Sequence, residues 1–213
     1  EAKALIANGP ISVNGRVLPA TLHDVKLIAD VQLPGSSQEV RVEGESRIPE
    51  AQGQVRRVYL EPNNPSAFPP SLQSILTADL VVVGPGSLYT SLLPNLLVPD
   101  LLAALRVSKA LKVYVVNIAT QRGETGGFQV SDHVSVLEKH VGARLFDIVV
   151  CNNWYEKPLP HGVEWVKIDE AAAPYPLYPA NLVDEDQPWR HDSIKVAQVL
   201  MDLLYERTGP LSE

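Results

Sequence analysis

Three short apolar runs carry no polar alternation: Leu80-Val81-Val82-Val83, Val113-Tyr114-Val115-Val116, and Ile148-Val149-Val150 within a strand expected over Asp147 to Val150. A strand with one wet face alternates apolar and polar residues. A run that is apolar throughout must be covered on both faces, which is the situation of a parallel strand between helices. Helical spacing fills the intervals: Ser71 to Ala78 reads as a short helix, Asn95 to Lys109 as another, and Ser131 to Val141 as a third with Val134, Leu137 and Val141 on one face. Val163 to Ile168 is expected to add a fourth strand. His191 to Glu206 is expected to be the last helix, with Ile194, Ala197, Leu200 and Leu204 inward, and Ala171 to Pro179 a proline-rich surface loop. Strands and helices in alternation imply an α/β fold with a doubly wound, mostly parallel sheet.

Ahead of residue 65 the pattern differs. Residues alternate in Lys26 to Leu33 and in Glu39 to Glu43 around Pro34-Gly35-Ser36-Ser37, which predicts a strand, a turn and a returning strand. Val55 to Leu60 adds a strand, and Asn14-Gly15 between Val13 and Val17 signals a smaller type I′ hairpin upstream. The chain therefore reads as one domain over 1–213. A β-rich part with a hairpin elaboration spans 11–60, and the alternating part spans 65–213.

The length of 213 residues, with 45% hydrophobic and 20% charged residues, fits a globular domain able to bury a large core. A net charge of −7 argues against nucleic acid as a partner, because phosphate neutralisation needs clustered Lys and Arg. Cys151 is the only cysteine, so no internal disulfide can form and a cytoplasmic, reducing compartment is the easier expectation. Its place after Ile148-Val149-Val150 makes it a core residue. No apolar stretch reaches the ~18 residues of a membrane span. The chain opens on Glu1 rather than methionine, so the natural start is expected upstream.

Ligands of open parallel sheets bind outside the carboxyl ends of the strands, so the segments after each buried run matter most. After the first run come Gly84, Pro85, Gly86, Ser87, Thr90 and Ser91; after the second, Asn117, Thr120, Gln121, Arg122, Glu124 and Thr125; after the third, Asn152 and Asn153. Small, hydroxyl and amide residues in three successive loops point to a polar ligand. Glycines let backbone N–H groups approach such a ligand, yet the same residues also serve a tight strand-to-helix turn, and both readings stand. The segment is neither a Walker loop nor GxGxxG. Thr120 to Gly127 reads either as a ligand-orienting lid or as a flexible polar loop. Ser131-Asp132-His133 opens a helix, with Ser131 or Asp132 as cap or His133 beside a phosphate. Arg190, ahead of an Asp192 cap, is either a bystander or a phosphate fork. His133 and His140 are two turns apart, which does not match a zinc pair. No cofactor is called for, although magnesium carried by a nucleotide diphosphate is compatible with the pattern. Assembly into a homo-oligomer stays open.

These segments resemble the CofD-like family, which includes the 2-phospho-L-lactate transferases and the YvcK-type gluconeogenesis factors. The resemblance rests on Ala78-Asp79-Leu80 through Gly84-Pro85-Gly86-Ser87-Leu88-Tyr89-Thr90-Ser91 to Pro94-Asn95-Leu96-Leu97-Val98. It extends to Val113 to Asn117, Thr120 to Thr125, Ser131-Asp132-His133, Asn152-Asn153 and Arg190-His191-Asp192, and upstream to Val17 to Thr21 and Val42 to Glu45. It implies a Rossmann-like fold and a nucleotide-containing small molecule as partner. Among the implied ligand residues are Gly84, Pro85, Gly86, Ser87, Thr90, Ser91, Asn95, Asn117 and Thr120. The rest are Gln121, Glu124, Thr125, His133, Asn152, Asn153 and Arg190. No catalytic residue is singled out. The long form of Gly84 to Val98 is more similar to the YvcK branch, which implies UDP-sugar binding in support of gluconeogenic growth and cell shape. A phospholactate transferase of deazaflavin coenzyme synthesis, or an assembly module with a vestigial pocket, are the alternatives. Members begin with a Gly-rich phosphate loop and an Asp-Gly-Gly-Ser-Ser-type segment; neither occurs here, so an N-terminally incomplete domain is expected.

Overall fold

The computed structural model describes residues 15–142, 144–169 and 174–208. The expected Asn14-Gly15 hairpin lies outside the described residues. The β-rich part forms a three-stranded antiparallel sheet of β1 (Lys26–Gln32), β2 (Glu39–Glu43) and β3 (Gln54–Glu61), in the order β2-β1-β3. Gly35, at φ +70°, makes the β1–β2 turn that Pro34-Gly35 signalled. The central strand buries Ile28, Ala29 and Val31, whereas edge strand β2 alternates exposed and half-buried residues. A single turn of helix, α1 (Arg47–Glu50), follows.

The second sheet is parallel: β4 (Leu80–Val83), β5 (Leu111–Val115), β6 (Ile148–Asn152) and β7 (Leu177–Ala180), in that order. Tyr114, Val149 and Cys151 face one core. There they meet α4 (Pro99–Val107), α5 (Val130–Val141) and the inner face of the antiparallel sheet. Val113, Val115 and Val150 face a second core closed by α6 (Ser193–Thr208). Both faces of β5 and β6 are covered, as their unalternated runs require, whereas no residue of β4 is fully buried and Val82 is 37% exposed. Cys151 is fully buried, and burial pushes its thiol up to about 11.

Four local expectations are corrected. The fourth strand is Leu177–Ala180, inside the stretch read as a loop, and not Val163 to Ile168. Proline cannot donate to a ladder, but β7 is an edge strand, where Pro179 is tolerated. Val163 to Ile168 instead crosses the carboxyl end of β5, with Val166 N–H donating to Ile118 O and Thr120 N–H to Glu164 O. The helix expected over Asn95 to Lys109 is broken. A π-helical turn (Leu88–Leu92) runs into α3 (Leu93–Leu96), and α4 restarts at Pro99 with a bend of 76°. The residue before a proline is driven out of the helical region, and Val98 accordingly sits at ψ 112°. The N-cap of α5 is Gln129, whose N–H donates to Asp132 Oδ2 at 2.8 Å, while Ser131 turns to Asp169. The buried stripe of α6 is Val196, Val199, Leu200 and Leu203, and Ile194 is 79% exposed. Asp192 does cap α6, its Oδ1 accepting from the N–H groups of Ile194 and Lys195. Helix α2 (Pro69–Thr77) packs against α4. Among the described residues no single helix is long and apolar enough to cross a membrane.

Candidate functional site

Strand β4 ends in a turn that demands glycine. Gly84 sits at φ +81°, and a Cβ there would stand 2.6 Å from the carbonyl oxygen of Val115 on the neighbouring strand. Gly86 has ordinary backbone angles, and its virtual Cβ comes no closer than 3.3 Å to Leu92. Its backbone is held by Asn117, just past the end of β5. Gly86 N–H donates to Asn117 Oδ1 at 3.2 Å, and Asn117 Nδ2 donates to Gly86 O at 2.9 Å. The Gly86 N–H is therefore engaged within the protein. The same Asn117 amide reaches Gln121 Oε1 (3.3 Å), and Gln121 Nε2 donates to Ser87 Oγ at 2.8 Å. The chain Gly86–Asn117–Gln121–Ser87 ties the ends of β4 and β5 into one polar surface. A closed run of amide bonds holds geometry better than isolated pairs.

Behind this surface lies Glu124, only 9% exposed. Its carboxylate accepts from Thr90 Oγ1 (3.0 Å) and from Tyr89 N–H (3.4 Å). Burial raises its pKa above the usual carboxylate range, opposed by those bonds and by the Ser87 hydroxyl. Thr120 and Thr125 brace the same loop: Thr125 Oγ1 accepts from Gln121 N–H and Thr120 Oγ1 from Glu164 N–H. Gly123 has backbone so close to Pro49 that a Cβ would fall 2.1 Å from its carbonyl oxygen, which seats the loop on α1. The segment read either as a lid or as a flexible polar loop is thus fastened at several points.

A strap ahead of α6 closes the other side. Arg190, Trp189 and His191 share with Pro85, Gly86, Asn117 and Gln121 the wall of a cavity of about 320 Å³. Arg190, expected either as bystander or as phosphate fork, stands at the GPGS loop with its side chain exposed. The sequence reading missed Trp189. Its signal was a tryptophan in a polar loop segment, with no helical or strand period to absorb it. His191 Nε2 lies 3.1 Å from Val116 O, at the end of β5, so the ring donates there in its neutral form. Burial pulls its pKa down to about 4, opposed by that bond. The unfolded chain takes up this proton below about pH 6.5 while the folded chain does not, so stability falls as pH drops from about 6.5 toward 4. The His191 contribution at pH 5 is roughly 2 kcal/mol of lost stability. Burial depresses His133 and His140 as well, in the same direction. Urea unfolding at pH 7 and pH 5 checks this: the stability gap between wild type and His191→Gln should shrink at pH 5, and an unchanged gap would contradict it.

Other expected residues lie elsewhere. His133 is fully buried on α5, its Nδ1 2.9 Å from Gln129 O and its ring edge-on to Phe128, and its Nε2 meets no partner among the described residues. Asn152 is spent inside, with Oδ1 accepting from Leu182 N–H and Nδ2 donating to Trp154 O. Asn153 is exposed beyond β6. Asn95 donates to Ser91 O and lines a separate cavity beside β4, whose outer edge has no paired strand among the described residues. A larger cleft of about 1000 Å³ opens between the β1–β2 turn and the Arg122 to Phe128 segment, but of the expected ligand residues it takes in only Glu124. The smaller cavity takes in five of them, Pro85, Gly86, Asn117, Gln121 and Arg190. Among the described residues no three His, Cys, Asp or Glu side chains gather as a metal site.

Comparison with known proteins agrees with this architecture. The family model described as 2-phospho-L-lactate transferase CofD matches residues 6–202. A putative gluconeogenesis factor of Clostridium acetobutylicum is 39% identical over 215 residues, covering 92% of this chain and 46% of the relative. The gluconeogenesis factor of Listeria monocytogenes is 38% identical over 206 residues, covering 93% of this chain and 62% of the relative. A crystal structure of a UPF0052-family protein from Bacillus halodurans superposes with a TM-score of 0.79 at 33% identity, over 94% of this chain and 65% of that one. The chain thus spans less than two thirds of the length of each. By the family match over most of its length, the chain belongs to the CofD family, and relatives it matches there carry the name gluconeogenesis factor.

Proposed function

We propose that the chain binds a nucleotide-sugar of the UDP-sugar class, as a non-catalytic factor serving gluconeogenic growth and cell shape. The observation carrying this reading is the clasp of Gly86 by Asn117 directly beside Arg190, at the carboxyl ends of two parallel strands. Ligands of such sheets lie in that crevice, and a guanidinium that makes no hydrogen bond or ion pair among the described residues suits a phosphate. The relatives' name, gluconeogenesis factor, supports the gluconeogenic part of this reading. A catalytic role finds less support, because Glu124, the buried carboxylate of these loops, is only 9% exposed and is held by Thr90 and Tyr89.

Titrating the full natural protein with UDP-N-acetylglucosamine in a calorimeter tests the reading. Saturable heat at micromolar to low millimolar ligand is the expected result, and no heat at millimolar ligand would sink it. A phospholactate transferase is the second reading, favoured by the description of the family model. It requires turnover of a guanylylated phospholactate donor with a deazaflavin acceptor.

A further inference from the structure

We propose that the mouth of the cavity beside Gly86 and Asn117 is a nucleobase subsite, in which the Trp189 indole stacks on the ring of the bound base. The inference rests on the nucleotide reading above and assigns one residue within it. Three observations carry it.

First, Trp189 is left out of the packing. Trp154 and Trp165 pack against the second hydrophobic core, whereas Trp189 joins neither core and is 43% exposed. An indole offers a large apolar face with a polar edge, and a protein that leaves one wet gives up much burial.

Second, the exposure is not a matter of a loose chain. Asp184 Oδ1 accepts from the N–H groups of Asp186 (2.8 Å) and Gln187 (3.1 Å). Arg190 N–H donates to Gln187 O at 2.8 Å, and its carbonyl accepts from Asp184 N–H at 3.0 Å. Pro188 is buried, and His191 is fixed to Val116 O on the far side. The backbone around Trp189 is held in place with the side chain at the cavity. A pre-positioned aromatic loses little entropy on binding.

Third, the cavity has the two-sided character a base needs. Ile118 and Ala119, nearly fully buried, supply apolar wall. The amide oxygens of Asn117 and Gln121 each accept one bond within the protein, leaving a second lone pair for donors on the base edge. Arg190 adjoins Trp189, so phosphate and base would be gripped by consecutive residues. Stacking on an aromatic face is tolerant of base identity and worth about tenfold or more in affinity.

The test uses the full natural protein, with UDP and UDP-N-acetylglucosamine as probes and affinities from calorimetry. Trp189→Ala should weaken both ligands by the same factor, about tenfold or more, with an unchanged melting temperature. Trp189→Phe should keep most of the affinity. UDP should quench a part of the tryptophan fluorescence that Trp189→Phe lacks. Loss of affinity for UDP-N-acetylglucosamine but not for UDP would place the indole under the sugar and overturn the proposal. Unchanged affinity of Trp189→Ala for both ligands would overturn it too. Failure of the wild type to bind UDP at all would remove the nucleotide reading itself, a result distinct from both.

Discussion

Arg190→Ala should weaken UDP-sugar binding by roughly a hundredfold while leaving the thermal melt of the protein unchanged. The guanidinium is exposed, and among the described residues it makes no hydrogen bond or ion pair within the protein. Removing it therefore breaks no hydrogen bond or ion pair among the described residues. Toward a diphosphate, the same fork can make two charge-assisted bonds, each worth ~1.5–3 kcal/mol, and the loss of about 3 kcal/mol is roughly two decades in affinity. Helix α6 begins three residues later, at Ser193, so the partial positive charge of the helix end adds to the same region. Arg190→Lys keeps the charge and loses the planar fork, and its affinity should fall between wild type and alanine. Calorimetry paired with a melting curve separates the cases. Full affinity in both variants would make Arg190 a bystander.

Gly84→Ala should unfold or strongly destabilise the protein, by roughly 3 kcal/mol or more in urea titration. Two constraints act together: φ of +81° disfavours any side chain, and the added Cβ would stand 2.6 Å from Val115 O. That oxygen belongs to a neighbouring strand in the middle of the sheet, so relief requires β4 to move off β5. Gly86 provides the control within the same loop. Its angles suit alanine and its closest neighbour is the flexible Leu92 side chain at 3.3 Å, so Gly86→Ala should stay near wild-type stability. Gly86→Val should be less stable than Gly86→Ala, because its branches start from a Cβ that already stands 3.3 Å from Leu92 and 3.8 Å from Ser91. Equal stability of Gly84→Ala and Gly86→Ala would refute this account of the turn.

The sequence was informative wherever burial left a period in it. Strands β5 and β6 were legible because double-sided burial removes alternation, β4 because it carries the same kind of run although Val82 stays exposed, and the β1–β2 hairpin because Pro34-Gly35 punctuates it. Leu177–Ala180 was not legible. Four residues ending in Pro179-Ala180 resemble a loop until β6 is in place to accept them as an edge. Val163 to Ile168 had the composition of a strand but contributes only a bridge from Trp165 to Ala119. The amide-rich strand ends directed attention to Asn117 and Gln121. Their bonds to Gly86 and Ser87 depend on tertiary approach across more than thirty positions of chain, which no local pattern encodes. His133 shows the opposite failure: a histidine in a helix's first turn reads as a phosphate neighbour, while its burial shows only in the packed core.

The most direct measurement is a crystal structure of the full natural protein grown with UDP-N-acetylglucosamine. The account predicts nucleotide density in the cavity between the Gly86 loop and the strap, with a phosphate at Arg190 and the base against Trp189. Nucleotide density confined to the larger cleft between the β1–β2 turn and the Arg122 to Phe128 segment, with the Gly86 cavity empty, would contradict it.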